Sequence, residues 1–242
     1  MALIPDYVHD ATGHVLGVLL PYFRRTPGGI ADADMYARYR RALLRMQADT
    51  REAARSRTLA ADLALVADGY RTASDDPRAV ISGLERVIVA ARAVQPTTGR
   101  SVGKRLQAEN EAALALLIEV LSIASQGAAV ADLAPRSYDE ARRYRQSFGR
   151  SIDLAIERAS DQSQIDLVRP LRELQGRIAR DMIERGRPLA RIVAYETAVP
   201  LPAVTLAHLL YQDARRSDEL TAENPGHDHP SFMPVAGRAY SR

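Results

Sequence analysis

Apolar and small residues recur close to every three or four positions along residues 34–70, which is the spacing of one face of a helix, and Thr50 and Arg57 break the pattern. No Pro or Gly interrupts this stretch before Gly69. A continuous helix of this length would extend roughly 55 Å at about 1.5 Å per residue. The pattern therefore predicts a long N-terminal helix. Its apolar face consists of Tyr36, Tyr39, Leu43, Met46, Ala53, Ala60, Leu63, Ala67 and Tyr70.

Several further helices are predicted C-terminal to this one. Pro77 suits the first turn of the next helix, and Ser101 opens a longer, strongly apolar one. Ser137, with Glu140 three residues later, forms the capping-box pattern of another. The last of them ends at Gly186. Five or six major helices with almost no strand signal indicate a helical bundle.

The pattern changes after the last of these helices. Pro188, Pro200 and Pro202 surround a β-tolerant run at residues 192–195, which is either an extended connector or a lone strand. Two short helices follow, and residues 225–242 are rich in Pro and Gly. We expect this last segment to be extended and to become ordered on a partner.

These patterns define the expected architecture. The fold class is all-α, a multi-helix bundle with a long N-terminal helix and an extended Pro-rich C-terminal tail. We expect an N-terminal extended arm at residues 1–30 and the helical bundle at residues 31–186. Residues 187–242 would then form the connector, the two short helices and an extended docking tail.

Composition places the chain among globular proteins. Of its 242 residues, 46% are apolar and 26% are charged, which differs from the composition of disordered chains. Having no cysteine, the chain has no disulfide framework, no thiolate nucleophile and no cysteine-based zinc site. The N-terminus lacks a basic segment before its short apolar run, and no window approaches the roughly 20 apolar residues of a membrane span. We therefore expect a soluble, non-secreted chain with no membrane partner.

Positive charge is carried almost entirely by arginine, since Lys104 is the one lysine among 33 basic residues. Guanidinium groups form bidentate contacts with phosphate, so DNA is a possible partner. The arginines are, however, interleaved with Asp and Glu along the predicted helices, a pattern typical of solvated faces with surface ion pairs. DNA is therefore a secondary candidate.

The sequence contains no recognisable pattern of catalytic residues. A nucleophile elbow of the form G-x-S-x-G is absent, and the histidines are few and terminal, so no triad can be argued. The stretch GRSVGK at residues 99–104 lacks the spacing of a phosphate-binding loop. We expect a protein that is not an enzyme, with no catalytic residues and no cofactor. An enzyme with an unrecognised site is an alternative that no residue supports positively.

His227, Asp228 and His229 raise the question of a metal site near the C-terminus. Imidazole nitrogens and carboxylates, with Asp213 upstream, can bind zinc or another divalent ion. Alternate residues of one extended chain supply only two ligands, fewer than a structural site needs. A polar turn before Pro230 explains the histidines better, so we expect no metal.

Five short stretches near the C-terminus occur in a distinctive order. They are LPA at 201–203, LAHLLYQDA at 206–214, RSDEL at 216–220, EN at 223–224 and HPSFMP at 229–234. Together they resemble the C-terminal pattern LPalvLAyrLYgDasRadEl.aRN.i.HPgFvP of the DNA circularisation proteins of Mu-like, contractile-tailed phages. The resemblance covers roughly residues 165–235. Gln212 departs from the usual Gly, Glu223 departs from the usual Arg, and the family's β-rich N-terminal domain has no counterpart in this helical pattern.

The resemblance implies a virion structural protein of the phage tail, located at the junction between the tail tube and the baseplate hub. Its implied partners are other tail and baseplate subunits (tail tube, hub and wedge) in a symmetric multi-copy assembly. The chain would be assembled in the host cytoplasm and reside in the virion. Two alternatives are a DNA-binding protein that holds or circularises phage DNA and a transient tail-assembly chaperone.

The ending around Phe232 is interpreted as a docking segment rather than a catalytic or metal site. A Pro-punctuated, extended chain with an apolar anchor is what a docking subunit needs. For Leu209 and Tyr211, a role in the local core is an equally good interpretation. The residues expected to carry docking are Leu209, Tyr211, Asp213, Asn224, His229, Pro230 and Phe232.

Overall fold

The chain is mostly helical in its computed structural model, which describes residues 5–24, 28–55, 58–226 and 229–241. This agrees with the all-α class, apart from a two-stranded sheet within the described residues. The helices in the N-terminal half are α1 (Asp6–Leu19), α2 (Ala33–Ala48), α3 (Thr50–Arg55), α4 (Leu59–Thr72), α5 (Pro77–Ala93) and α6 (Val102–Asp132). The remaining elements are α7 (Tyr138–Asp161), α8 (Val168–Gly186), β1 (Ile192–Glu196), α9 (Ala203–Tyr211), α10 (Ser217–Glu223) and β2 (Ala236–Tyr240).

The chain divides into two compact units. The bundle unit comprises Met1–Leu133 and Ser147–Ala179, and the C-terminal unit comprises Ala134–Gln146 and Arg180–Arg242. The C-terminal unit therefore includes the first residues of α7 and the last residues of α8. The sequence pattern predicts both of these stretches as part of the bundle at residues 31–186.

Helix α6 is a core helix of the bundle unit and packs against α1, α4 and α5. It is 31 residues long and contains a window with a mean hydropathy of 1.8, so by length and composition it could cross a membrane. The length and hydropathy of α6 are closer to those of a membrane span than the sequence pattern predicts. Core helices of soluble proteins share these properties, and 67% of the window is buried inside the structure. Leu116, Ile118 and Ile123 are among its fully buried side chains.

The prediction of an extended arm over residues 1–30 is wrong for the described part of that segment. Pro5 directly precedes α1, and a 3₁₀ turn (Leu20–Phe23) follows it. The helix packs on α6 and buries one face. The buried apolar residues of that face are Ala11, Val15, Leu16 and Leu19. Their helical spacing makes the short apolar run a core-facing stripe.

The prediction of one continuous helix over residues 34–70 is also wrong. Helix α2 ends at Ala48, and Asp49 leaves the helical conformation with φ −141° and ψ 88°. The Asp49 carboxylate accepts a hydrogen bond of 2.9 Å from the backbone N–H of Glu52, so it caps the start of α3. The segment 56–57, between α3 and α4, lies outside the described residues. Seven of the nine residues predicted for the apolar face are nevertheless buried, whereas Tyr36 is half-buried and Ala60 is exposed.

Helix α6 carries two buried carboxylates whose partners lie within the bundle unit. Glu111 accepts hydrogen bonds from the backbone N–H and hydroxyl of Thr97 (2.5 and 2.8 Å) and from Nε2 of Gln107 (3.0 Å). Nδ1 of His14 lies 3.1 Å from the same carboxylate. Glu119 pairs with two arginines of other helices. The sequence pattern predicts that carboxylates interleaved with arginine lie on solvated faces. Glu111 and Glu119 are exceptions, because both are buried.

The hydrogen bonds around Glu111 predict an acid-sensitive contribution to stability. Burial alone would raise the pKa of Glu111, but the bonds from Thr97, His14 and Gln107 outweigh it and hold the pKa below the ordinary 4.5. A lowered pKa stabilises the folded state fully above the ordinary value, and this contribution is lost as the pH falls through the folded-state pKa. Glu111→Gln should therefore lower the free energy of unfolding at neutral pH by about 1–3 kcal/mol.

Urea unfolding of both proteins across acidic and neutral pH measures this effect. The difference between wild type and Glu111→Gln should be constant above about pH 5 and should shrink at lower pH. A difference that stays constant into strong acid would contradict the assigned hydrogen bonds.

The C-terminal unit contains the sheet. Strands β1 and β2 are antiparallel, and the register runs from Ile192 opposite Tyr240 to Glu196 opposite Ala236. The predicted extended tail therefore ends, within residues 229–241, as a strand paired with the predicted connector. Gly237 lies opposite Tyr195, and a Cβ at that glycine would be only 2.6 Å from the Tyr195 hydroxyl oxygen. Glycine at this position is required by the close approach of the ring.

Candidate docking surface

Short helices and strands of the C-terminal unit share one small apolar core. Helix α9 contributes four buried positions at helical spacing, and α10 and the strands close over them. The buried residues are Tyr195, Ala203, Leu206, Ala207, Tyr211, Leu220, Met233 and Ala239. Most of the five C-terminal stretches between residues 201 and 234 lie in or beside this core. Folding of the C-terminal unit therefore accounts for much of their sequence.

Tyr211 and Asn224 hold the final strand in place. The Tyr211 hydroxyl accepts a hydrogen bond of 3.0 Å from the backbone N–H of Tyr240, and burial raises the pKa of Tyr211. The Asn224 amide nitrogen donates to the carbonyl oxygens of Leu220 (2.7 Å) and Arg238 (2.8 Å). Its Oδ1 accepts from the backbone N–H of Arg238 at 2.8 Å. The contacts of Tyr211 and Asn224 stabilise the fold of the C-terminal unit. The docking role of these two residues stays a prediction.

Asp213, His229 and Pro230 make local backbone contacts. The Asp213 carboxylate accepts from the N–H of Arg215 at 3.0 Å and caps a 3₁₀ turn (Ala214–Arg216). Nδ1 of His229 accepts from the N–H of Ser231 at 3.1 Å, and the Pro230 carbonyl accepts from the N–H of Ala203 at 2.7 Å. The bonds of His229 and Pro230 shape the turn before Phe232.

The His227, Asp228 and His229 run, where we expect no metal, lies partly outside the described residues, because the first two fall in a gap of the description. Across the described ranges, no group of three or more His, Cys, Asp or Glu side chains is arranged to hold a metal ion. His229 itself is engaged with the backbone of its own turn.

Backbone pairing continues beyond the sheet towards α9. The N–H of Thr197 donates to the Val235 carbonyl (2.6 Å), and the N–H of Met233 donates to the Leu201 carbonyl (2.9 Å). With the bond from Ala203 to Pro230, residues 197–203 and 230–235 form an irregular antiparallel ribbon. The ribbon continues the β1–β2 ladder up to the start of α9.

Exposed apolar side chains lie around this ribbon. Phe232 is 71% exposed, the highest value among the large apolar side chains of the described residues. Val199 and Val235 lie close together, because the Thr197 hydroxyl is within hydrogen-bond distance of both of their carbonyls. Val204 follows the ribbon in the first turn of α9. We define Val199, Val204, Phe232 and Val235 as the apolar rim.

Leu209 is 58% exposed but lies at the far end of α9, five positions beyond Val204. The predicted docking residues therefore do not form one cluster. Phe232 and Pro230 belong to the ribbon, Tyr211 and Asn224 meet at β2, and Leu209 and Asp213 lie elsewhere. The sequence interpretation did not include the three valines of the apolar rim, although two of them adjoin prolines and one lies in the first turn of a predicted helix.

A cavity of about 530 Å³ also opens in the C-terminal unit. Charged side chains that already have partners form much of its wall. Arg216 pairs with Glu219 at 2.8 Å, and the Tyr240 hydroxyl donates to Glu223 at 2.6 Å. Burial and the neighbouring Glu223 carboxylate raise the pKa of Tyr240. These groups satisfy one another within the unit.

Asn224→Ala should lower the stability of the C-terminal unit by about 1–3 kcal/mol, because it leaves the backbone groups of Leu220 and Arg238 without their partner. Urea unfolding measures the effect, and hydrogen exchange at the amides of β2 should accelerate in parallel. Thr205→Ala, at an exposed position of α9, is the matched control and should stay within about 0.5 kcal/mol of wild type. Unchanged protection of β2 in Asn224→Ala would contradict this structural role.

Comparison of the chain with protein-family models and with curated proteins found no match.

Proposed function

We propose that this chain is a non-catalytic structural subunit of a contractile phage tail, located where the tail tube meets the baseplate hub. It docks on neighbouring tail subunits through the apolar rim of its C-terminal unit. The phage assignment comes from the ordered residue pattern at 201–234, and the docking surface comes from the geometry of the ribbon.

The observation that carries the proposal is the exposure of Phe232. A large aromatic side chain in water gains on the order of 2 kcal/mol when a partner buries it. The bonds before and after it fix its backbone, since the N–H of Phe232 donates to the His229 carbonyl at 3.0 Å and Met233 pairs with Leu201. A rigidly held, exposed aromatic residue is typical of a binding hot spot, because little conformational entropy is lost on docking.

Within the residue pattern at 201–234, some residues are needed for folding and others are available for docking. Leu206, Tyr211 and Leu220 are buried, so the fold of the C-terminal unit requires them. Phe232 belongs to the same ordered pattern but contributes little to that core. A residue that the pattern contains and the fold does not need is the best candidate for contact with another subunit.

The direct test is quantitative mass spectrometry of gradient-purified particles from the phage or prophage that encodes this chain. The proposal expects its peptides in a constant ratio to the tail-tube protein, with a copy number that matches the tail symmetry. Absence from particles, together with abundance in the lysate, would overturn a virion role. That result would favour a transient assembly chaperone or a DNA-binding protein.

Salt-dependent DNA affinity distinguishes these two alternatives. A protein that holds DNA ends through its arginines should bind DNA with an affinity that falls steeply as salt increases. A chaperone should instead copurify with tail proteins from the lysate and not with DNA.

A further inference from the structure

Three arginines of the C-terminal unit surround a second, smaller cavity, of about 120 Å³, between the first turns of α7 and the end of α8. The helices approach closely there, because a Cβ at Gly186 would lie 3.0 Å from the Cβ of Ala141. This approach places Arg142 and Arg145 of α7 beside Arg187, just after α8. Across the described ranges, none of these three guanidinium groups forms a salt bridge with a carboxylate.

Three of the four acidic side chains near the cavity on α7 and α8 are engaged elsewhere, and the fourth, Glu184, is exposed and forms no salt bridge among the described residues. Asp139 accepts a hydrogen bond of 2.7 Å from the N–H of Ile192, and Glu140 accepts one of 2.5 Å from the N–H of Arg136. Asp181 pairs with Arg185. Three like charges that share one cavity repel one another, and an anion bound among them would relieve that repulsion.

The remainder of the cavity wall is apolar. Ala141 and Met182 are buried in it, and Ile183 and the ring of Tyr138 complete it. An aliphatic stem that ends in a carboxylate matches this arrangement, since the stem can pack on Ile183, which is 38% exposed, while the carboxylate receives bidentate guanidinium bonds. We propose that this cavity binds an acidic side chain of another protein. The site goes beyond the apolar rim, with which it shares no residue.

Nucleic acid matches the site less well. Arg191 already covers the Tyr138 ring at 4.8 Å, so that face cannot stack a base. A phosphate backbone needs a continuous basic track, whereas four acidic residues are interspersed with eight arginines along 134–146 and 180–191. The cavity is also of the size of one side chain rather than of a nucleotide.

Fluorescence anisotropy with the full chain tests the proposal. The probes are a labelled peptide of Glu-Leu-Ser repeats, a matched peptide of Gln-Leu-Ser repeats and a short single-stranded DNA. The acidic peptide should bind with a Kd below about 1 mM and at least about tenfold more tightly than the Gln peptide. Arg142→Gln and Arg187→Gln should each weaken its binding about tenfold or more.

Arg143→Gln is the control, because Arg143 lies on the same helix, is exposed and does not line the cavity. It should change the Kd by no more than about twofold. All three positions accept glutamine without loss of fold, since their side chains are exposed. Circular dichroism checks this.

Four results would overturn the proposal. They are no binding of the acidic peptide at about 1 mM, equal binding of the Gln peptide, an equal effect of Arg143→Gln, and tighter, strongly salt-dependent binding of the DNA. The last result would identify the three arginines as a nucleic-acid contact instead.

Discussion

Glu119→Ala should lower the free energy of unfolding by about 3–5 kcal/mol, the usual loss when one member of a buried ionic group is removed. The Glu119 side chain is fully buried, and one carboxylate oxygen accepts from Nε of Arg92 at 2.7 Å. Arg158 pairs with the other oxygen. Alanine would leave two mostly buried guanidinium groups facing each other without a counter-charge, and their mutual repulsion adds to the cavity.

Chemical denaturation followed by circular dichroism measures the loss. Glu109→Ala, on the exposed face of the same helix, is the matched control and should change stability by no more than about 0.5 kcal/mol. A triple variant with Arg92→Met, Glu119→Leu and Arg158→Met should recover much of the loss, because it removes all three charges together. If Glu119→Ala were as stable as Glu109→Ala, the buried ionic group would have no role in holding α5, α6 and α7 together.

Helical faces and several helix ends, such as Pro77, Ser101 and Gly186, could be predicted from the sequence, but the end of α2 at Ala48 was not. Tyr39, Leu43 and Tyr70 are buried as their spacing predicts, because periodicity reports which side of a helix meets the core. The polar Thr50 interrupts the stripe next to the break at Asp49. That interruption and the capping ability of Asp49 were the signals of a new helix start.

Contacts between residues that are far apart in the sequence could not be predicted from a local pattern. Glu119 and its partners Arg92 and Arg158 are separated by 27 and 39 residues, so they looked like members of ordinary charged faces. The pairing of β1 with β2 depends on Gly237 leaving room for Tyr195, and that match is visible only once the strands are adjacent. In the docking segment, the order of residues indicated importance but could not separate the buried Tyr211 from the exposed Phe232.

Under the proposed function, Phe232→Ala should weaken docking to a neighbouring tail subunit by about 30-fold or more while leaving the isolated chain as stable as wild type. Truncating an aromatic hot-spot residue commonly costs at least about 2 kcal/mol of binding free energy. The folded chain loses little, because most of the side chain is already in water. The ratio of this chain to the tail-tube protein in purified particles measures docking, and urea unfolding of the purified chain measures stability.

Ile165→Ala is the appropriate control, since Ile165 is 63% exposed in the bundle unit and takes no part in the apolar rim. It should leave both incorporation and stability unchanged. Tyr211→Ala should also reduce incorporation, because it removes a buried ring and the hydrogen bond that the ring's hydroxyl accepts from β2. The stability of the Tyr211→Ala variant should therefore fall as well. The pair of measurements therefore separates a contact residue from a residue that maintains the surface. If Phe232→Ala lowered stability by as much as Tyr211→Ala, its ring would belong to the core of the C-terminal unit, and the docking proposal would lose the observation on which it rests.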